Sequence, residues 1–224
     1  MGLNTSKGDM YSWVTHTWNT VKGECPHGCT YCYMKRWGAQ RSVRLDESEL
    51  KTDLGSGNTI FVGSSCDMWA ADIPREWNVA TLKHCEQFAS KYLFQTKNPS
   101  RILDFIDATV ISEKSVVCTT IESNRFYGQY MANSPNLWLR ASEMNEIAHA
   151  GIKTYVTIEP IMDFDLKEMV HHIETCLPTQ VNIGADSGNN HLPEPSREKL
   201  LELISALKEF TVIDQKRNLK RILG

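Results

Sequence analysis

Cys25, Cys29 and Cys32 crowd into the segment Glu24-Cys25-Pro26-His27-Gly28-Cys29-Thr30-Tyr31-Cys32-Tyr33 with Cys-x3-Cys-x2-Cys spacing. Thiolates are soft ligands, and three of them in a loop containing Pro and Gly can wrap a compact iron–sulfur core. No fourth cysteine follows in register, so a [4Fe-4S] cube held by these three would keep one iron open to an exogenous molecule. Two blander readings stand beside this one. Cys25, His27, Cys29 and Cys32 could form a closed structural Cys3His zinc site, although His27 sits only two residues from a cysteine on either side, a cramped fit for a fourth ligand. The thiols could also be reduced and simply buried. The loop composition and its place after an apolar run favour the cluster.

Other groups capable of chemistry also stand at the ends of apolar runs. Ser64, Ser65, Cys66 and Asp67 follow one such run, and Lys97 closes another, where its ammonium could pair with a ligand carboxylate. Thr120 and Glu122 alternate along a strand-like stretch and so face one side, as a hydroxyl and a carboxylate that could hold sugar hydroxyls. Glu159 precedes Pro160, and Asp186 lies in a Gly-flanked turn, where each could be a ligand contact or a turn residue. Tyr31, Tyr33, Trp37, Trp69 and Trp77 could stack on a base or build core. The stretch Lys216-Arg217-Asn218-Leu219-Lys220-Arg221 is basic enough to touch phosphate.

The elements that must position these groups alternate along the chain. Candidate strands cover 13–19, 59–65, 92–97, 115–122, 153–159 and 180–186, with helices expected near 33–44, 75–90, 99–107, 138–150, 165–176 and 196–209. Pro74, Asn98-Pro99 and Ser196 punctuate helix starts, and Gly151 a helix end. Six alternating units imply parallel pairing with right-handed crossovers, in a doubly wound sheet or an open TIM-like barrel. Ligands in both lie at the carboxyl ends of the strands, and the cysteine loop and the polar residues at 63–67, 96–97, 120–124, 158–160 and 184–188 all follow such ends.

The chain of 224 residues is read as a single domain, 1–224, with formal charge −3, which excludes a uniformly basic nucleic-acid binder but not a local cationic groove. Its seven cysteines form no disulfide framework. No leader-like or membrane-length apolar run is present, so a soluble, reducing, cytoplasmic setting without a membrane partner is expected. Gly2 with Ser6 formally matches the short myristoylation pattern.

Taken with a strand–helix alternation, the cysteine spacing and the aromatic Tyr31 before Cys32 resemble the radical S-adenosylmethionine (SAM) superfamily. Within it, Thr17-Trp18-Asn19, Phe94-Gln95-Thr96-Lys97, Ile158-Glu159-Pro160 and Gly184-Ala185-Asp186-Ser187-Gly188 resemble small phage-associated members. The Thr96-Lys97 pair and the Cys66 region resemble the branch of spore photoproduct lyase and the DNA repair photolyase-like proteins. The resemblance implies a partial (β/α)6 TIM-like barrel and an enzyme with lyase- or transferase-type radical chemistry. Its metal ligands would be Cys25, Cys29 and Cys32, holding a [4Fe-4S] cluster. SAM would chelate the open iron and, on one-electron reduction, yield a 5′-deoxyadenosyl radical that takes a hydrogen atom from substrate.

The resemblance supports Lys97 and Tyr31 as SAM contacts, and Ser64, Ser65, Thr120, Glu122, Glu159 and Asp186 are expected to join them from their places at strand ends; the resemblance further implies that Cys66 returns a hydrogen atom to a product radical and that a flavodoxin- or ferredoxin-type protein donates the electron. The substrate would be a nucleoside or nucleic acid; a peptide or small metabolite is the alternative, and a non-catalytic metal-binding interaction protein a third reading. Gly63-Ser64-Ser65 replaces the Gly-Gly-Glu of many members, so hydroxyls, carbonyls or Asp67 must take the ammonium of SAM.

Overall fold

The structure is a computed structural model describing residues 3–8 and 10–224; Gly2 of the myristoylation pattern lies outside them. Among the described residues ten strands form: β1 Asn4–Thr5, β2 His16–Trp18, β3 Val21–Lys22, β4 Arg44–Leu45, β5 Thr59–Val62, β6 Lys91–Thr96, β7 Ser115–Thr120, β8 Lys153–Ile158, β9 Gln180–Ile183 and β10 Val212–Gln215. The helices are α1 Arg75–Glu86, α2 Ser100–Leu103, α3 Thr109–Lys114, α4 Gly128–Met131, α5 Leu137–His149, α6 Leu166–Thr175, α7 Arg197–Leu207 and α8 Lys220–Leu223. One sheet runs β1-β2-β5-β6-β7-β8-β9-β10, parallel throughout except for the antiparallel edge β1, and β3 and β4 make a separate hairpin. The sheet does not close, as expected of a partial barrel. Among the described residues no helix is long and apolar enough to cross a membrane.

Each of the six expected strands forms; five are shorter than expected by one to four residues, and β6 keeps its length, shifted one residue towards the N-terminus. The Ser196 hydroxyl accepts from the Lys199 amide at 3.2 Å to cap α7, and Gly151, at φ +84°, ends α5. Two helices differ from expectation. The stretch 33–44 is helical only as a 3-10 turn over Tyr33–Trp37; beyond Gly38 the chain extends, because Lys22 and Arg44 and then Val21 and Leu45 pair across the hairpin. The helix expected at 99–107 stops after Leu103, where i→i+3 bonds such as Phe105 N to Ile102 O tighten the chain, and α3 begins afresh at Thr109. The seventh parallel strand, β10, went unread because its Val-Ile-Asp-Gln sequence is short and holds only two β-branched residues.

Alternation along the strands separates two faces. Ile60, Val62, Tyr92, Phe94, Val117, Val156, Val181 and Ile183 belong to the main core with the helices. Opposite parity gives the inner face, and the strand register sorts it into rows. Phe61, Leu93 and Val116 lie lowest; Gln95, Cys118, Tyr155 and Gln180 come next; Lys97, Thr120, Thr157 and Asn182 follow towards the carboxyl edge. The inner face thus passes from apolar to polar towards the edge where Glu122, Glu159 and Lys216 stand. The lower rows are covered by residues 10–14: Tyr11 and Val14 pack on Phe61, Leu93, Cys118 and Tyr155, and Tyr11 stacks on Trp13 at 5.5 Å.

Candidate functional site

The cysteine loop leaves β2, passes through β3 and emerges at the carboxyl edge. It is docked on the segment after α4: Thr30 N donates to Tyr130 O at 2.9 Å and Asn133 N to His27 O at 3.0 Å. Cys29 is buried, its sulfur 3.3 Å from Ser134 Oγ, whereas Cys25 and Cys32 are half-buried. The hydrogen bond with Cys66 pulls the Cys25 thiol down to about 6, against the opposing effect of burial, so that it is poised to be a thiolate. The same bond, with burial, pushes Cys66 strongly up. A soft donor set with one thiol already acidified fits an iron–sulfur group. Among the described residues no three His, Cys, Asp or Glu side chains gather round one point, the three loop thiols included, and the His27 ring is turned to Asp67 rather than to the thiols.

His27 Nε2 lies 2.8 Å from Asp67 Oδ2. Burial disfavours the charged ring, but the Asp67 carboxylate outweighs it and raises the His27 pKa. Burial likewise opposes the Asp67 charge, and the hydrogen bonds from His27, Lys97 N and Trp69 N overcome it and hold Asp67 low. Thr96 Oγ1 also donates to Asp67 at 2.9 Å. Asp67, expected to receive an ammonium in place of the missing glutamate, is therefore occupied in clamping the loop to the ends of β5 and β6. Ser64 and Ser65 are organised by Asn19, whose Oδ1 accepts from Ser65 N at 2.8 Å and Ser64 Oγ at 3.3 Å, and Tyr33 OH donates to Ser64 O at 2.7 Å.

Four of the expected residues meet over the inner face. Glu122 is wholly buried and accepts from Tyr31 OH and Lys97 Nζ on one oxygen, and from Arg140 Nη1 at 2.9 Å on the other. Burial opposes its charge, but Lys97 and Arg140 prevail and hold the carboxyl down at about 2. Tyr31 is raised by burial and by the Glu122 charge. Lys97 Nζ lies 5.4 Å from the Tyr31 ring centroid, and Thr120 stands alongside, its hydroxyl 3.4 Å from Gln95 Nε2. Arg140, on α5, gave no sequence signal; a basic residue on an amphipathic helix ordinarily faces water.

Glu159 and Asp186 occupy the far side of the mouth. Glu159 pairs with Lys216 and accepts from Asn218 Nδ2 at 3.1 Å. Gly184 permits this, since a Cβ there would stand 2.8 Å from the Glu159 carboxyl carbon. Asp186 turns its carboxylate onto its own loop, accepting from Gly188 N at 2.9 Å and Asn190 Nδ2 at 2.6 Å. Of the basic stretch, Lys216 points onto the inner face, 4.9 Å from the Tyr11 ring, while Arg221 pairs with Glu194. Trp69 is core, edge-on to Phe94 at 5.4 Å; Tyr33 and Trp37 are exposed beside the loop.

Neither a protein-family model nor a curated protein sequence matches the chain. Solved structures do. A cysteine-to-serine mutant of spore photoproduct lyase superposes with TM-score 0.63 at 12% identity, over 93% of this chain and 79% of that one. A mutant of the same lyase with bound AdoMet and dinucleoside spore photoproduct gives 0.58 at 12%, over 93% and 66%. Streptococcus suis SuiB bound to S-adenosylmethionine gives 0.56 at 8%, over 89% of this chain and 49% of SuiB. At such identities the likeness establishes the fold alone, an open α/β barrel shared with these enzymes, as expected for this chain.

Proposed function

We propose that the chain is a radical SAM enzyme whose cluster is anchored by Cys25, Cys29 and Cys32 and whose substrate is a nucleoside or nucleic acid. The observation that carries this is the placement of three thiols, one acidified, on the loop after the first parallel strand, beside the polar end of the inner face. The fold shared with a lyase that binds AdoMet and a dinucleoside, and with SuiB bound to SAM, supports both the cofactor and the substrate class. When bound, the cluster would supply the electron that cleaves SAM to methionine and a 5′-deoxyadenosyl radical, which takes hydrogen from substrate.

The residues of this chain then bind and orient. Lys97, beside Glu122, would meet the SAM carboxylate; Ser64 and Ser65, fixed by Asn19, would offer carbonyls and hydroxyls to its ammonium. Thr120 would meet the ribose and Tyr31 the adenine, while Glu122, wholly buried, would hold Tyr31 and Lys97 in place for them. Glu159 and Asp186 bound the opposite side, Glu159 with Lys216 as its counter-charge. Cys66 would return a hydrogen atom to the product radical, its S–H bond being weak and its thiol kept protonated.

Anaerobic reconstitution tests the class: iron and acid-labile sulfide should accompany the chain, and dithionite with SAM should give 5′-deoxyadenosine. Stoichiometric zinc without sulfide would refute it. Cys66→Ala should preserve SAM cleavage while lowering product yield from a thymine-containing dinucleotide; undiminished yield removes that role.

A further inference from the structure

Behind the cysteine loop, between it and the hairpin of β3 and β4, lies a cleft of about 380 Å³ lined by Lys22, Met34, Trp37, Arg41, Arg44 and Ser65 among others. Residues 25–45 contain Lys35, Arg36, Arg41 and Arg44 and no acidic residue, although the chain as a whole carries −3. Lys22 is neutralised by Asp46 and Glu49 at 2.8 and 2.7 Å, and Arg36 reaches Ser187. Arg41 and Arg44 are exposed. Trp37 stands 76% exposed between them and the cysteines, on the 3-10 turn that Cys32 caps. Except for Ser65, which stands between the two, the cleft shares no lining residue with the groups assigned to SAM: Tyr31 turns towards Glu122 and Lys97, whereas Met34 and Trp37 line the cleft.

Building on the proposed function, we infer that this cationic cleft is the docking surface for an acidic one-electron donor of the flavodoxin or ferredoxin kind. A substrate must reach the inner face; an electron need only come close to the cluster, and the back of its loop, where Met34 and Trp37 follow Cys32 within one 3-10 turn, is such a surface. One electron leaves the reduced flavin or iron–sulfur centre of the donor and enters the cluster, and no bond is made. Donor complexes of this kind are small and transient. Opposite charge patches speed their encounter, and an exposed tryptophan amid the cations supplies an apolar anchor.

The test uses the anaerobically reconstituted chain and its Arg41→Glu/Arg44→Glu double variant, with cluster bleaching followed by stopped flow. With fully reduced flavodoxin, the variant should bleach at least about tenfold more slowly, and the wild-type rate should fall steeply with salt. Dithionite should bleach both chains equally, which also shows that the variant is folded and loaded. Oxidised flavodoxin, titrated calorimetrically into each chain, should bind the variant about tenfold more weakly. Equal flavodoxin rates and affinities for the two chains would overturn the inference while leaving the enzyme reading intact. So would a variant that loses only affinity for a single-stranded oligonucleotide, which would make the cleft a nucleic-acid surface. A chain with no cluster reducible by dithionite would overturn both readings.

Discussion

At the lower end of the inner face Tyr11, Phe61, Leu93 and Tyr155 make an aromatic and aliphatic stopper, whereas at the upper end Tyr31, Lys97, Glu122 and Arg140 close the wall with compensating charge. The stopper rests on removing apolar area from water, which is indifferent to pH and scales with the atoms removed. The upper wall rests on the mutual neutralisation of ions taken out of water, so its cost appears only when one partner is lost. Catalytic groups of an open barrel belong with the second kind of wall, since charged side chains there can be held in fixed positions next to a ligand.

The sharpest way to break this contrast is Glu122→Ala, which strands buried Arg140 and should lower stability by about 3–5 kcal/mol in urea unfolding. The same carboxylate sets an acid limit. Its pKa is about 2 in the fold against an ordinary 4.5, so its contribution is complete above about pH 4.5 and vanishes as the pH falls towards 2. Unfolding followed across that window should show a steep loss in wild type and a shallower one in the variant. Asp67, also held low, acts with the same sign and leaves part of the slope. Tyr11→Ala should cost about 3 kcal/mol by emptying the stopper, with the acid slope unchanged; a changed slope would mean the two ends are coupled. Tyr11→Phe, which removes only the hydroxyl donated to Gln95 at 2.8 Å, should cost about 1 kcal/mol by the same measurement.

Much of this arrangement was legible. The β-branched runs and helix punctuation located the six strands, and period-two alternation grouped Thr120 with Glu122, although β7 ends at Thr120 and Glu122 reaches Lys97 from the loop beyond it. What escaped depended on contacts distant in sequence. Nothing near Arg140 in the chain tells it that Glu122 will lie 2.9 Å away. Lys216 sits in a stretch whose composition matches a solvated helix end, yet β10 turns it onto the inner face. Asp67 was singled out for the right region, but only the folded chain brings His27, Thr96 and the Lys97 amide onto its carboxylate. The hairpin that shortened the helix at 33–44 is equally a pairing partner effect, with Val21 and Lys22 supplying the other strand.

The contact of Lys216 with the Tyr11 ring joins two ends of the fold, because the segment that fills the lower inner face and the strand that supplies its last cation meet only when every intervening unit is in place. Closing so long a loop carries an entropic cost that few local contacts offset beforehand. The pocket should therefore be among the last regions to acquire native order during refolding, with Trp13, edge-on to Tyr155, becoming solvent-shielded in the slowest phase while the central strands are already protected.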